Sequence, residues 1–94
     1  MITRIVKLHL DKQGSILLQD IFETNKLLIK GMRGCHEVQL LADHENPNLF
    51  FTISKWDSIN DLERYRNSDL FKSIWPKLKV HFTEPPCAWS LTRS

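Results

Sequence analysis

Glycine, proline and cysteine are all scarce in this 94-residue chain, which has three, four and two of them. No linker, repeat or low-complexity tract divides it, and its length suits one domain spanning residues 1–94. Cys35 and Cys87 form no C-x-x-C pair, so neither a disulfide framework nor a zinc site is expected. No apolar run approaches the ~20 residues of a membrane span. The opening Met1-Ile2-Thr3-Arg4-Ile5-Val6 alternates, unlike the apolar core of a signal peptide. An excess of one charge is missing too. The formal net charge is +2 and the basic residues are interleaved with acids, leaving no stripe to track a phosphate backbone. Walker, G-x-G-x-x-G, H-E-x-x-H and nucleophile-elbow motifs are absent. The expectation is a cytoplasmic protein with no nucleic-acid or membrane partner and no cofactor.

What is present is a core-forming composition, 41% hydrophobic with three Trp. Residues Ile2 to Leu10 read as a strand, with Ile2, Val6, Leu8 and Leu10 on one face and Ile5 with Lys7 and His9 on the other. Gln13-Gly14-Ser15 opens a helix to about Lys30. Its stripe of Leu17, Leu18, Ile21, Phe22, Asn25, Leu28 and Ile29 recurs at three- and four-residue steps. Gly31 is the expected left-handed terminator. Cys35 to Asp43 is a second strand, with Val38, Leu40 and Ala42 on one face and Cys35 and Leu41 on the other. His44-Glu45-Asn46-Pro47-Asn48 is a hairpin loop, and Leu49 to Trp56 a third strand. A broken helix follows. Ser58-x-x-Asp61 starts a piece over Ile59–Arg66, and Asn67-Ser68-Asp69 caps a second, running from about Asp69 to Phe82 and open to a kink at Pro76. Phe71, Ile74, Trp75, Leu78 and Phe82 form its apolar stripe. Cys87 to Thr92 closes the chain as a fourth strand.

Strand, helix, strand, strand, helix, strand is the split βαββαβ, or ferredoxin-like, order of an α+β domain with a four-stranded antiparallel sheet. Helices cover one sheet face, yet both faces carry bulky apolar groups. The other face predicts a second copy of the chain, a homodimer. Strands two and four fall on opposite sheet edges, which argues against a Cys35–Cys87 disulfide.

The segment Trp56-Asp57-Ser58-x-x-Asp61-Leu62-x-x-Tyr65-Arg66-x-Ser68-x-x-Phe71-x-x-x-Trp75, with Gly34-Cys35 and Ala88-Trp89-Ser90, resembles the antibiotic biosynthesis monooxygenase family. The resemblance covers nearly the whole chain. It implies a dimeric α+β barrel and a ligand pocket between helices and sheet. It further implies oxygenation of a small electron-rich aromatic (a quinol, phenol or anthrone), without metal or flavin, the substrate itself supplying electrons to dioxygen. A non-catalytic ligand-binding or interaction domain on the same scaffold is the alternative. Haem-degrading relatives carry Asn, Trp and His where this chain has Val6, Tyr65 and Trp75, which disfavours that activity.

The resemblance makes Tyr65, Trp75, Phe71, Trp56 and Arg66 the substrate-binding candidates. Trp75 would stack on a ring, Tyr65 would donate a hydrogen bond, and Arg66 would steady an anion. Against these stand plain roles: core packing for Trp75 and Tyr65, strand-end packing for Trp56, a solvated helix position for Arg66. A general base is sought among His9, His36 and His81, while His44 lies in a polar loop.

Overall fold

Alternation in the first ten residues produces strand β1 (Ile2–His9), which the computed structural model, describing residues 1–94, places inside the sheet. Helix α1 (Lys12–Lys30) begins at Asp11, whose carboxylate accepts from the Gly14 backbone N–H at 2.7 Å. Ser15 Oγ donates to Asn48 Oδ1 at 2.8 Å, tying the start of α1 to the β2–β3 loop. Strands β2 (Cys35–Ala42) and β3 (Leu49–Trp56) form the hairpin, and β4 (Cys87–Leu91) the last strand. Between them run α2 (Ile59–Arg66) and α3 (Asp69–Lys79).

All pairings are antiparallel and the order is β2-β3-β1-β4. Cys35 and Cys87 therefore lie on opposite edges, and both are free thiols. On the helix-covered face, Leu8, Phe50, Leu18 and Leu78 close with Leu10 into one buried cluster, and Val6, Leu40, Ile74, Trp75 and Phe82 pack around it.

Both helix starts in this region form as the serine signals predict. Ser58 Oγ accepts from Asp61 N at 3.3 Å and donates to the Asp61 carboxylate at 2.8 Å. Ser68 Oγ accepts from Phe71 N at 3.2 Å and restarts the helix as α3.

Three local expectations are corrected. Gly31 is right-handed, at φ −78° and ψ −5°, and the left-handed residue is Gly34 at φ +82°. The chain keeps helical dihedrals past α1 and turns only on entering β2. There a side chain at Gly34 would also collide with the Asp61 carboxylate. Second, Cys35 shares a face with Val38 and Leu40, not with Leu41. Cys35 pairs with Trp56 and Glu37 with Lys55, so a bulge at His36 reverses the alternation. Third, α3 stops at Lys79, not Phe82. Residues 81–83 are claimed by the end of β1. Asp11 N donates to His81 O at 2.9 Å, Thr83 N to His9 O at 3.0 Å, and Phe82 bridges Leu10. A helical turn cannot make those bonds as well.

Candidate functional site

The inner sheet face and the helices do not close completely. A cavity of about 360 Å³ remains between them, within the ~300–1,000 Å³ typical of small-molecule sites. Its floor is the sheet: Arg4, Val6 and Leu8 from β1, Thr52 and Ser54 from β3, Val38 from β2 and Ala88 from β4. Leu18, Ile21, Phe22 and Ile29 of α1 form one wall. Leu62, Tyr65 and Arg66 of α2, with Phe71, Ile74, Trp75 and Leu78 of α3, form the other.

The break at Asn67-Ser68 sets that second wall. By ending α2 and restarting α3, it turns Tyr65 and Phe71 edge to face, with ring centroids 5.4 Å apart and planes at 77°. Phe71 then stacks on Trp75 at 5.8 Å, and Trp75 meets Phe82 at 5.4 Å. Tyr65 is backed by Trp56 at 5.1 Å, nearly parallel at 22°. Five aromatic rings thus run in sequence along one side, each in the range of favourable ring contacts.

Tyr65, Phe71, Trp75 and Arg66 all come together on the cavity wall. Trp56 does not reach it. At 0% exposure it sits behind Tyr65, its Nε1–H donating to Ser54 Oγ at 2.9 Å, so it supports the wall without forming it.

The histidines are dispersed, and none lines the cavity. His9 lies on the sheet face away from the helices and pairs with Glu84 at 3.0 Å. His36, at the bulge, pairs with Asp57. Past the end of α3, His81 Nδ1 sits 3.0 Å from Asp11 Oδ1, fastening that segment to the cap of α1. No three His, Cys, Asp or Glu side chains converge in the fold.

The polar groups that do line the cavity are Arg4, Arg66, Tyr65, Thr52 and Ser54. Burial pushes the Tyr65 hydroxyl up to about 12, with a smaller contribution from neighbouring Cys35, so at neutral pH it is a donor and not a base. Arg4 donates to Ser90 Oγ at 2.9 Å, and Arg66 to Glu63 Oε1 at 3.1 Å. Burial lowers the pKa of the Arg4 guanidinium, the like charge of Arg66 lowers it further, and Glu63 acts in the opposite direction.

Arg4 is the site residue that sequence reasoning missed, although a signal was present. Along the inner face Ile2, Val6, Leu8 and Leu10, the period-2 alternation passes through position 4, where a charged residue interrupts an otherwise apolar row. Thr52 and Ser54 interrupt the β3 row in the same way, between Phe50 and Trp56.

Residues 1–76 match the family described as antibiotic biosynthesis monooxygenase. No curated protein matches the chain. Among solved structures, one described as an antibiotic biosynthesis monooxygenase superimposes with a TM-score of 0.91 at 14% identity, covering 100% of this chain and 99% of its own. A conserved protein from Methanosarcina mazei gives 0.90 at 18% identity, covering 100% and 94%. A protein from Mycobacterium tuberculosis gives 0.89 at 13% identity, covering 99% and 94%. At these identities the likeness is one of fold.

Proposed function

The chain belongs to the antibiotic biosynthesis monooxygenase family, and from that premise we propose that it is a cofactor-independent monooxygenase acting on a small electron-rich aromatic of quinol, phenol or anthrone type. The observation that carries this reading is the cavity walled by Tyr65, Phe71 and Trp75, mostly apolar in its lining and edged by arginines. A flat ring would stack along the Phe71–Trp75 side, and the Tyr65 hydroxyl would donate to a ring oxygen.

In the proposed reaction an ionised ring passes one electron to dioxygen, and the radical pair joins as a peroxide. Its O–O bond then breaks with loss of water. The ring carbon, a CH₂ in the keto form of the substrate, thereby becomes C=O, one oxygen atom staying in the product and the other leaving in water with that carbon's remaining hydrogen and a proton taken back from solvent. The protein contributes orientation, a mostly apolar site and positive charge near the developing anion. With no histidine or carboxylate on the wall, the substrate would enter already ionised, its proton left to solvent outside the site.

The test is dioxygen uptake by metal-free protein with a panel of hydroquinones and anthrones. Uptake well above autoxidation is expected, and uptake at the autoxidation rate across the panel overturns the proposal. The absence of a base from the cavity specifically favours a second reading, a binding domain without turnover. Saturable binding of the same panel with no oxygen uptake would select it.

We also propose that the protein is a homodimer. The sheet face away from the helices carries Ile5, Phe51, Ile53 and Leu41, and Trp89 and Leu91 of β4 are 44% and 46% exposed. A second copy of the same face is the simplest cover.

A further inference from the structure

We propose that the cavity takes its ligand as an anion, a ring compound whose ionised oxygen lies between the guanidinium groups of Arg4 and Arg66. This deepens the reading of the cavity as a small-molecule site and rests on it.

Arg4 projects from the inner face of β1, opposite Ser54 on one side and Ser90 on the other, into a cavity that is otherwise mostly apolar. A guanidinium in such a place carries a desolvation cost unless a counter-charge meets it. Arg66 enters the same cavity from α2 and acts on Arg4 as a like charge. The carboxylate that opposes them is that of Glu63, bound to Arg66 across one helical turn and itself 49% exposed. Two cations share one carboxylate, and no Asp or Glu lines the cavity. One positive charge is therefore left without a partner from the chain at this end of the site.

Hydrogen bonding agrees. A guanidinium carries five N–H donors in a planar fork. Arg4 uses one on Ser90 and Arg66 one on Glu63, leaving donors of both free to grip an oxygen acid.

The cavity is also polarised along its length. Arg4 marks one end of its floor. Val6 and then Leu8 lead to the buried cluster of Leu18, Phe50 and Leu78, about 13 Å away at the usual strand rise. A ligand with an apolar ring body and one charged end fits that gradient, whereas a cation or a uniformly polar molecule does not. Arg4 is part-buried and Arg66 is 43% exposed, so the charged end of the ligand would lie at the mouth of the cavity and its ring body inside.

Calorimetric titration with 2-naphthoate and its neutral isostere 2-naphthamide tests this directly. The acid is expected to bind at least about tenfold more tightly, the scale of a charge-assisted hydrogen bond. Arg4→Met and Arg66→Met should each cut that ratio several-fold while leaving the amide unchanged. Ser90→Ala, which removes only the hydrogen bond accepted from Arg4, should preserve the ratio, and thermal melts confirm that each variant is folded.

A second arm separates carboxylates from phenolates. Binding of 2-naphthol should tighten as pH is raised through its ionisation if a phenolate is accepted, and stay flat if the pair serves carboxylates alone. Equal affinity for acid and amide overturns the inference, as does a preference that survives in both Met variants. Failure of the oxygenase reading is distinct, since it appears as absent dioxygen uptake and leaves the acid-to-amide ratio intact. If no ring compound binds at millimolar concentration, both readings fall.

Discussion

Trp56 shows how a residue can matter to a cavity without touching it. Its ring is fully buried, stacked under Tyr65, and its Nε1–H is satisfied by Ser54. Truncation would leave a large void behind the wall and an orphaned Ser54 hydroxyl. Trp56→Ala is expected to destabilise the fold by about 3–5 kcal/mol in urea titration, the usual scale for a buried aromatic cut to alanine. It should also weaken ring ligands by releasing Tyr65. A loss below about 1 kcal/mol would mean that the wall does not lean on it. The sequence marked Trp56 as bulky at a strand end, but could not separate a lining residue from a supporting one. That distinction depends on which neighbour fills the space in front of it.

Among the elements, the junction between α1 and the segment after α3 has most to say about pH. Asp11 caps α1 through Gly14 and meets His81, and these bonds hold its carboxyl below the ordinary 3.8, the backbone N–H of Gly14 contributing most. A depressed pKa means that the folded state prefers the ionised form. The contribution is complete above the ordinary carboxylate value, declines as pH falls below it, and is lost once pH drops through the lowered value. Asp11→Asn retains a cap acceptor but cannot ionise. The urea midpoint of wild type should exceed that of the Asn variant at pH 5, and the gap should shrink toward pH 3. Parallel curves would remove Asp11 from the acid response. Ser58 and Ser68 were legible as caps because the signal is local. The end of α3 was not, because strand-like pairing of residues 81–83 with 9–11 stops it from outside.

At the scale of the molecule, the sheet is covered on one face and exposed on the other. Only 12 of 94 residues are buried in the single chain, a thin core that a face-to-face partner would thicken. Ile53 lies on central strand β3, opposite Ile5 and Gln39 on the uncovered face. Light scattering of the wild type should give twice the 11.1 kDa of one chain. Ile53→Glu should give a monomer that remains folded, because the charge enters the uncovered face and not the core. A wild-type monomer at micromolar concentration would refute the dimer.

Strand and helix order, the antiparallel pattern, the broken helix and the Phe71–Trp75–Phe82 stripe were determined by the sequence alone, whereas the place of Tyr65 on a ligand wall came from the family resemblance. They rest on local rules, such as alternation of period two, an apolar stripe of period 3.6, and serine caps whose partners lie three residues on. Tertiary structure alone decided the rest. It placed Trp56 behind the wall, kept His9, His36 and His81 away from the cavity, swung Cys35 to the inner face through a bulge, and brought Arg4 together with Arg66. Each of these depends on strands and helices distant in the chain coming into register, and local periodicity carries no information about what stands across the gap.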